Sequence, residues 1–462
     1  MLVFQPYDRA AISDVALDDA ASIQLKLENA STVFADQKKW LPSYIRIEIL
    51  KCLSHLVEEE REQFALLIAQ EGGKPLADAR IEVTRAVNGI EIAAASIERL
   101  AGEEIPMGLT AASTGRMAFT TREPIGVVVA ISAFNHPLNL IVHQVVPGIA
   151  AGCPVIVKPA STTPLSCLRF VELVHDAGLP EMWCQTVVVE DNELAEALAT
   201  DSKVAFVSFI GSARVGWLLR SKLAPGTRFS LEHGGAAPVL VDRSAEMDAL
   251  VDALVKGAYY HAGQVCVSVQ RIFVHEAVKQ DFIERFAERV SKLRVGDPAS
   301  ADTEVGPLIL PREVDRVESW VQEAIKSGGK SVAGGSRLGA TMFQPTVIVE
   351  PHATARLSKE EVFGPVSCVY GFSELSDAVS RANDLPFAFQ ASVFTRDIDV
   401  ALNAAKLFDA SAVLINDHTA FRVDWMPFAG RRQSGYGTGG ILYTMRDMTQ
   451  EKMIAFKFQP SR

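Results

Sequence analysis

An uncharged stretch constrains the fold more than any other feature: from Pro124 to Val157 the chain has no Asp, Glu, Lys or Arg. A transmembrane helix needs about 20 mostly apolar residues, so the length alone would allow one. Pro137, Pro147 and Gly152 interrupt the stretch, however, and Asn, His and Gln side chains are spread through it. The pattern therefore predicts a buried strand, a buried helix and a second buried strand, because parallel strands covered on both faces are continuously apolar.

The rest of the chain continues this alternation of strands and helices. Strand-like apolar runs are predicted at residues 125–132, 154–158, 205–210, 237–242, 270–275, 346–349, 367–370 and 392–395. Helical spacing of apolar residues is predicted over residues 18–35, 43–69, 81–100, 138–151, 166–178, 211–223, 247–260 and 278–293. Such alternation predicts an α/β fold with parallel sheets, and its restart after Gly235 indicates a second α/β domain.

Two further segments have strand character without a helical neighbour. Residues 108–123 are small, β-branched and polar, which is typical of a hairpin. Residues 452–458, near the chain end, form a lone strand-like piece. A strand with no sequence neighbour needs a partner elsewhere, so we expect it to pair with the hairpin or with another subunit.

Charge and cysteine content exclude several classes of protein. The chain has 45 Lys and Arg against 56 Asp and Glu, a net charge of −11, and no basic block. This argues against a nucleic-acid partner and against a membrane-surface helix. The six cysteines have neither CxxC spacing nor a metal-ligand pattern, so we expect reduced cysteines and no metal site. No secretory signal pattern begins the chain, and we expect a cytoplasmic protein.

Two residues could take part directly in catalysis, one as a nucleophile and one as a base. Cys266 lies between a predicted helix and a predicted strand, where a thiolate could act as a nucleophile. Its alternative role is that of a buried structural cysteine. Glu232 ends a strand-like stretch before two glycines and could act as a general base for water. The alternative for Glu232 is an ordinary surface salt bridge.

Polar residues also follow three of the predicted parallel strands, where open α/β sheets bind ligands. Asn135 could donate to an oxyanion, or it could simply cap the next helix. Lys158 could meet a nucleotide ribose, or it could be a solvated surface lysine. Gly211 and Ser212 precede a helix whose free N–H groups suit a pyrophosphate, although a plain helix cap would look the same.

The joint order of these motifs resembles that of the aldehyde dehydrogenase superfamily, from about residue 18 to residue 457. The matching segments are EGGKP (71–75), EPIGVV with FNHPLN (within 123–139), KPAS (158–161), FIGS (209–212), LEHGG (231–235), GQVC (263–266), EEVFGP (360–365) and MPFAGRRQSGYG (426–437). The order of Glu232 shortly before Cys266 is typical of that family.

The resemblance implies an aldehyde dehydrogenase fold with three parts. A Rossmann-like nucleotide-binding domain would comprise residues 1–101 and 123–235, and an α/β catalytic domain residues 236–425. A β-hairpin oligomerisation arm would comprise residues 102–122 and 445–462, with residues 426–444 returning to the nucleotide-binding domain. Such an arm implies a homodimer or a homotetramer.

The resemblance also implies the roles of single residues. Cys266 corresponds to the nucleophile, Glu232 to the base and Asn135 to the oxyanion donor. The reaction would oxidise an aldehyde to a carboxylic acid through a cysteine hemithioacetal and a thioester, with NADP or NAD as the hydride acceptor. The implied cofactor contacts are Ser132, Ala133, Phe134, Lys158, Ser161, Gly211, Ser212, Val215, Glu361 and Phe363.

Departures from the family pattern bear on specificity. Ser161 stands where many NAD-linked relatives have an acidic residue, which predicts that NADP is accepted because a serine does not repel a 2′-phosphate. Residues 418–428 and GQVC are similar to the lactaldehyde, non-phosphorylating glyceraldehyde-3-phosphate and phosphonoacetaldehyde dehydrogenases. This implies a small hydroxylated, anionic or semialdehyde substrate near Arg422 and His136. Val265 replaces an Arg of several phosphate-handling relatives, and Arg422 has the alternative of an ion pair with Asp424 or Glu361.

Other activities stay open on the same scaffold. They are a coenzyme A-acylating dehydrogenase, an esterase that uses only the acyl chemistry of Cys266, and a catalytically inactive structural relative. Family members that transfer the acyl group to coenzyme A often lack a carboxylate at the Glu232 position, so hydrolysis to the acid is favoured here. The joint presence of Cys266, Glu232, Asn135 and Lys158 argues against an inactive relative.

Overall fold

A computed structural model describes residues 1–458 of the chain. Their strands are β1 (Leu2–Phe4), β2 (Ala11–Asp14), β3 (Glu104–Ile105), β4 (Arg116–Pro124), β5 (Val127–Ile131), β6 (Val155–Lys158), β7 (Cys184–Thr186), β8 (Val204–Ile210), β9 (Arg228–Glu232), β10 (Pro238–Val241), β11 (Arg271–His275), β12 (Lys330–Ala333), β13 (Thr346–Val349), β14 (Val366–Phe372), β15 (Phe387–Ala388), β16 (Gln390–Phe394), β17 (Ala412–Ile415), β18 (Arg431–Arg432), β19 (Gly435–Tyr436) and β20 (Thr449–Lys457).

The α-helices of the same residues alternate with these strands. They are α1 (Ala20–Ala35), α2 (Ser43–Glu59), α3 (Arg61–Gly72), α4 (Leu76–Ser96), α5 (Asn139–Ala151), α6 (Leu165–Asp176), α7 (Asn192–Thr200), α8 (Ala213–Lys222), α9 (Met247–Tyr259), α10 (Glu276–Ser291), α11 (Pro311–Lys326), α12 (Arg356–Lys359), α13 (Leu375–Asn383), α14 (Ile398–Leu407) and α15 (Ile441–Asp447).

A six-stranded sheet has the order β19-β9-β8-β5-β6-β7 and is parallel except for β19. Every residue of its central strand β5 is buried. Val128 and Ala130 belong to one hydrophobic cluster, whereas Val127, Val129 and Ile131 belong to another. Because successive side chains of a strand point to opposite faces, both faces of this sheet are covered. The predicted α/β fold is confirmed.

The uncharged stretch folds as expected into a strand, a helix and a strand. The helix α5 continues beyond Pro147 and ends at Gly152, whose φ of 89° is the left-handed conformation that glycine adopts readily. At its start, the buried carboxylate of Glu82 accepts hydrogen bonds from the N–H groups of Leu138 (3.0 Å) and Asn139 (3.1 Å). Among residues 1–458, no helix has both the length and the apolar character that crossing a membrane requires.

A seven-stranded sheet forms the second half of the structure, in the order β12-β13-β14-β11-β10-β16-β17. Its strands are parallel except for the β12–β13 pair. Its hydrophobic core includes the stacked rings of Phe282 and Phe286, whose centroids are 5.1 Å apart, and Phe273 of β11. The chain passes from the first sheet to this one between Glu232 and Pro238.

A three-stranded antiparallel sheet has the order β20-β4-β3. The strand near the chain end pairs with β4 of its own chain over nine residues, from Arg116 with Lys457 to Pro124 with Thr449. The hairpin predicted over residues 108–123 begins earlier in the sequence than its pattern suggested. Its first strand is β3, which pairs with β4 at Ala118 and Phe119, and residues 108–115 form the turn region between them. Residues 459–462 of the predicted arm lie outside the described residues, and residues 445–447 belong to α15.

Candidate active site

A cavity of about 530 Å³ lies at the carboxyl ends of β5, β8 and β9, facing loops of the seven-stranded sheet. Most of the site residues expected from the sequence line it. They are Cys266, Glu232, Asn135, Ser132, Ala133, Phe134, Gly211, Ser212, Val215, Glu361, Phe363, His136 and Arg422. Lys158 and Ser161 are not among the lining residues, although their neighbour Ala160 is.

The segment before Cys266 has a strained backbone. His261, Ala262 and Gly263 have successive φ values of 49°, 55° and 71°, in the left-handed region that is costly for residues other than glycine. A Cβ atom on Gly263 would lie 2.2 Å from the carbonyl oxygen of Gly364, so only glycine allows this close approach. The side chain of Gln264 holds the segment from the other side, since it accepts from the N–H of Ile309 (2.9 Å) and donates to the carbonyl of Pro307 (3.2 Å).

Cys266 itself is half-buried in the cavity wall. Burial raises the pKa of its thiol to about 12, the carboxyl groups of Glu361 and Glu232 act in the same direction, and Arg422 opposes them. The thiol is therefore protonated at neutral pH before a ligand binds. Its partial exposure in the cavity distinguishes Cys266 from the four buried cysteines Cys153, Cys167, Cys184 and Cys368.

Glu232 is the last residue of β9, and its carboxyl group lies close to the backbone of Gly439. A Cβ atom on Gly439 would come within 2.0 Å of Glu232 Oε1. Burial raises the pKa of Glu232, and the charge of Arg422 opposes that rise. Glu232 has no salt bridge within residues 1–458, so the surface ion pair considered for it is wrong.

Asn135 does not cap a helix. The helix α5 begins at Asn139, and its first N–H groups are bound by Glu82 of α4 instead. The buried Asn135 amide, 5% exposed, lines the cavity and has no side-chain hydrogen bond to any residue of the described chain. A donor is thus available, in the cavity that Cys266 also lines, for an oxygen that becomes negatively charged.

The amino end of α8 borders the same cavity. Ser212 occupies the N-cap position, but its side chain makes no capping hydrogen bond. His233, buried and with a pKa lowered by burial, donates from Nδ1 to the carbonyl oxygen of Gly211 (2.8 Å). A Cβ atom on Gly216 would lie 2.1 Å from the His233 ring, so that glycine makes room for it. The free N–H groups at this helix end suit an anion.

Lys158 ends β6 and is half-buried rather than solvated, so its alternative role as a solvated surface lysine is wrong. Its Nζ donates to the carbonyl of Pro159 (3.1 Å), and burial lowers its pKa. Within residues 1–458 it has no carboxylate partner. Ser161 is exposed three residues later.

Glu361 and Phe363 form the opposite wall of the cavity. Burial raises the pKa of Glu361 to about 8, and its Oε1 atom has no hydrogen-bond partner in the described part of the chain. The carboxyl group lies so close to Gly234 that a Cβ atom there would be 1.5 Å from Oε1. The ring of Phe363 meets that of Phe134 edge-to-face, with centroids 5.8 Å apart.

Arg422 stacks on Phe428, with its guanidinium carbon 3.6 Å from the ring centroid. Burial lowers its pKa to about 10, so the guanidinium stays charged at neutral pH. The ion pair with Asp424 or Glu361 that was considered for it is wrong: among residues 1–458, neither carboxylate is its salt-bridge partner. Its buried Nε has no hydrogen-bond partner within the described chain.

Asp424 is bound instead by a network that the sequence did not reveal. It accepts hydrogen bonds from Arg85 (2.8 Å), from His143 Nε2 (2.8 Å) and from Asn139 Nδ2 (3.3 Å). Burial would raise the pKa of its carboxyl group, but His143 and Arg85 outweigh burial and hold that pKa well below the usual range. Burial lowers the pKa of His143 to about 4, so that ring is neutral. Its Nδ1 is then an acceptor, 3.5 Å from Arg422 Nη2.

The chain is similar to known proteins over nearly its whole length. Residues 1–454 match the model of the family described as "Aldehyde dehydrogenase family". The 3-sulfolactaldehyde dehydrogenase of Priestia megaterium is 35% identical over 454 residues, covering 98% of this chain and 94% of the relative. The lactaldehyde dehydrogenase of Methanocaldococcus jannaschii is 34% identical over 458 residues, covering 98% and 96%.

Solved structures are also similar to this chain over nearly its whole length. Aldehyde dehydrogenase 21 from Physcomitrella patens, in complex with the reaction product succinate, has a TM-score of 0.96 at 33% identity, covering 99% of this chain and 95% of that one. Glyceraldehyde-3-phosphate dehydrogenase GapN from Methanocaldococcus jannaschii, complexed with NADP, has a TM-score of 0.94 at 33% identity, covering 99% of both chains.

Proposed function

Because this chain belongs to the aldehyde dehydrogenase family, we propose that it oxidises a small aldehyde to a carboxylic acid through a thioester on Cys266. The family expected from the motif order and its α/β fold are both confirmed. One observation carries the proposed reaction: Cys266, Glu232 and Asn135 line one cavity, and neither polar side chain has a competing hydrogen bond or salt bridge within residues 1–458.

In the first step the Cys266 thiol passes its proton to water in the cavity, and the resulting thiolate Sγ forms a bond with the aldehyde carbon. The charge of Arg422 opposes the rise of the Cys266 pKa and so favours the thiolate. As the bond forms, the carbonyl oxygen becomes an oxyanion, which the Asn135 amide and the Cys266 backbone N–H stabilise. Bound NAD(P) supplies the acceptor for the hydride that leaves the same carbon, and a thioester remains.

The second step hydrolyses this thioester. Glu232 lies in the same cavity with a pKa raised by burial, which makes its carboxylate a better base than an exposed one. It takes a proton from water as the water oxygen attacks the thioester carbon, and Cys266 leaves with the acid as product. A half-buried carboxylate in this position supports hydrolysis over transfer of the acyl group to coenzyme A.

The unpaired polar atoms of the cavity suit the hydroxyl and phosphate groups of NAD(P). Ser132 Oγ and Glu361 Oε1 are buried without hydrogen-bond partners in the described chain. Because buried polar atoms are normally hydrogen-bonded, each could bind a hydroxyl group of the ligand. The amino end of α8 offers free N–H groups to the pyrophosphate. Lys158 and Ser161, outside the cavity wall, would lie at the adenosine end.

We expect Ser161→Glu to shift cofactor preference from NADP toward NAD. An acidic side chain would accept hydrogen bonds from ribose hydroxyls but would repel a 2′-phosphate, whereas the serine is uncharged beside the Lys158 ammonium. The ratio of kcat/KM for NADP over NAD should fall about tenfold or more, which corresponds to about 1.4 kcal/mol. Initial rates with both cofactors and one aldehyde measure it. An unchanged ratio would remove Ser161 from the cofactor site.

Arg422 supports an anionic substrate tail. Its guanidinium is charged and half-buried, with no carboxylate partner within residues 1–458, and the cavity offers it access to a ligand. Buried cations are normally paired, so an anionic group of the substrate would complete the arrangement. The 3-sulfolactaldehyde dehydrogenase relative has a name that fits such a substrate, a small aldehyde with an anionic or hydroxylated tail.

Arg422→Ala should raise KM selectively for anionic aldehydes. For succinic semialdehyde and glyceraldehyde 3-phosphate we expect an increase of about tenfold to a hundredfold, the loss of a charge-assisted hydrogen bond. The KM for benzaldehyde, a neutral aldehyde, should change by less than about threefold. The exposed Arg431→Ala is the matched control and should change neither. Equal losses on neutral and anionic aldehydes would show that Arg422 is structural.

We also propose that the three parts of the chain have the roles expected from the sequence. The six-stranded sheet with α1–α8 would bind the nucleotide, and the seven-stranded sheet would carry the nucleophile. The β20-β4-β3 sheet would join subunits into a homodimer or homotetramer, since within residues 1–458 the outer edges of β20 and β3 have no further strand partner. Size-exclusion chromatography with light scattering measures the subunit number.

A further inference from the structure

The segment EGGKP (71–75), at the junction of α3 and α4, has no part in the proposed reaction. Together with α4 it places three charged side chains in the interior: Glu71 and Lys74 are 0% exposed, and Glu82 is 1% exposed. Buried charges cost free energy unless they are paired or hydrogen-bonded. The partners of these three side chains therefore indicate what the segment does.

The Glu82 carboxylate holds the start of α5. Its Oε1 atom accepts hydrogen bonds from the N–H groups of Leu138 (3.0 Å) and Asn139 (3.1 Å). Leu138 occupies the N-cap position but its side chain has no oxygen, so these N–H groups depend on Glu82. The Oε2 atom of Glu82 accepts from the Lys74 ammonium, which compensates the buried negative charge.

The Glu71 carboxylate holds the start of α6 in the same way. Its Oε2 atom accepts from the N–H of Leu165 (2.7 Å), and its Oε1 atom accepts from the N–H of Ser166 (2.8 Å). Pro164 occupies the N-cap position of this helix and likewise has no side-chain oxygen. The loop between β6 and α6 ends at this cap, as the loop between β5 and α5 ends at Glu82. The two carboxylates thus anchor the loops after two neighbouring strands.

The cap on α5 lies close to Asn135 along the backbone. The carbonyl oxygen of His136 accepts from the N–H of Leu140 (3.1 Å), so the hydrogen bonds of the helix start reach the residue next to Asn135. The ring of Pro137 fixes the φ angle of the residue that follows His136. Few rotatable bonds therefore separate the anchored N–H of Leu138 from Asn135. A displacement of this N–H would move the Asn135 amide with it.

The backbone at Gly72 packs between the two anchored loops. A Cβ atom on Gly72 would lie 3.9 Å from the carbonyl oxygen of Phe134, in the loop after β5. The same Cβ would lie 3.9 Å from Thr163 Cγ2, in the loop after β6. The segment therefore contacts both loops directly, in addition to the hydrogen bonds of its carboxylates.

The other side of the segment contacts the half of the site that carries Cys266. A Cβ atom on Gly306, between α10 and α11, would lie 2.0 Å from the carbonyl oxygen of Gly73. The Lys74 ammonium lies 5.7 Å from the ring centroid of Tyr260, within the range of a cation–π contact. Tyr260 begins the turn that leads to Cys266. The segment thus supports the loops of both sheets at the cavity.

We propose that Glu82 is a positioning residue that holds Asn135 in place as the oxyanion donor. Glu71 is the corresponding positioning residue for the cofactor-binding loop after β6. This inference rests on the proposed aldehyde oxidation. Both carboxylates cap a helix of the same half of the structure with the same kind of hydrogen bonds, so a purely structural role predicts the same loss for both. Positioning predicts that Glu82 affects the chemical step and Glu71 the affinity for the cofactor.

Two rates measured on the full-length enzyme separate the oxyanion donor from the nucleophile. Single-turnover formation of NADPH at saturating NADP requires a stabilised oxyanion, whereas alkylation of Cys266 by iodoacetamide requires only the thiolate. In Glu82→Gln the single amide oxygen cannot accept both from Lys74 and from the backbone N–H groups, which weakens the cap. NADPH formation should slow by about tenfold to a hundredfold, the cost of displacing a reacting group by roughly 1 Å. Alkylation, followed by mass spectrometry of the Cys266 peptide, should keep its wild-type rate. An unchanged rate of NADPH formation would overturn the proposal.

Glu71→Gln is the matched comparison, because it replaces a second buried capping carboxylate by an amide. Its Kd for NADPH, from fluorescence titration, should rise about tenfold, which corresponds to about 1.4 kcal/mol. Glu82→Gln should keep the wild-type Kd. Glu91→Gln, an exposed carboxylate on the same helix as Glu82, should change neither the Kd nor the rate of NADPH formation. Equal losses of rate and of affinity in Glu71→Gln and Glu82→Gln would indicate a general loosening of the fold and would overturn the proposal.

A double variant shows whether Glu82 acts through Asn135. Asn135→Ala removes the donor, so the addition of Glu82→Gln should slow NADPH formation no further. The addition of Glu71→Gln to Asn135→Ala should still raise the Kd for NADPH about tenfold, because a different loop is affected. Losses of rate that multiply in the variant with both Asn135→Ala and Glu82→Gln would overturn the proposal.

The double variant Lys74→Met with Glu82→Gln keeps the test possible if a lysine without its carboxylate prevents folding. The amide oxygen is then free to accept from the N–H groups of α5, and the loss of a whole buried ion pair is often tolerated. This variant should form NADPH at least about tenfold faster than Asn135→Ala. A folded double variant as slow as Asn135→Ala would overturn the proposal. A wild type that forms no NADPH with succinic semialdehyde, glyceraldehyde 3-phosphate or benzaldehyde would instead contradict the proposed function, so the two failures are distinguishable.

Discussion

Cys266→Ser should abolish aldehyde oxidation, with kcat/KM lower by about four orders of magnitude or more. The serine hydroxyl is a far weaker nucleophile than a thiolate, and within residues 1–458 no base is hydrogen-bonded to the side chain of Cys266 to activate a serine there. Initial rates of NADPH formation, followed at 340 nm, measure the loss. The proposed mechanism requires this result because every later step proceeds from the Cys266 thioester.

Cys52→Ser is the matched control for this experiment. Cys52 is exposed on α2, away from the cavity, so its replacement should leave kcat/KM unchanged. Both variants should bind NADPH as the wild type does, which fluorescence titration can establish, so that a loss of activity cannot be attributed to misfolding. Activity of Cys266→Ser within tenfold of the wild type would exclude Cys266 as the nucleophile.

Glu232→Gln should give a burst of one NADPH per active site and then stall. The amide cannot accept a proton from water, so hydrolysis should slow by about 10²- to 10⁴-fold, the usual contribution of a general base. Hydride transfer precedes hydrolysis, and the thioester therefore accumulates. Rapid-mixing measurements at 340 nm give the burst amplitude, and mass spectrometry of the quenched enzyme should show the acyl group on Cys266.

The same measurement decides between two roles for Glu232. Absence of both burst and turnover would mean that Glu232 is needed before hydride transfer, as the base that deprotonates Cys266. Normal steady-state turnover would contradict any role as a base. Glu28→Gln, an exposed carboxylate on α1, is the control and should behave as the wild type.

The alternation of strands and helices was predictable because both depend on the spacing of apolar residues close together in the sequence. The continuous apolar run predicted β5, and the helical spacing of apolar residues predicted α5. The strand Thr346–Val349 was predicted with the bounds that the structure shows. The helix α11 was missed although Pro311 at its first turn was a usable signal. The two-residue strands β15, β18 and β19 carry no such pattern, because their pairing depends on residues far away in sequence.

The site was predictable only where residues lie in recognisable motifs. Cys266, Glu232 and Asn135 were identified by motif order, and the structure brings them to one cavity. Arg85 and Asp424 are 339 residues apart, and no local pattern links them. The helix-cap interpretation of Asn135 failed for a related reason: the N–H groups it would have capped are bound by Glu82 from another helix, which only tertiary packing brings there.

The pairing of β4 with β20 has a consequence for the order of folding during synthesis. Residues 116–124 are made long before their partners at 449–457. Contacts of such high sequence separation form late, because a long loop must close before they stabilise anything. Until β20 is made, β4 therefore has an edge without its long partner, an edge that can pair with another nascent chain. The protection of β4 thus depends on β20, a strand made much later in synthesis.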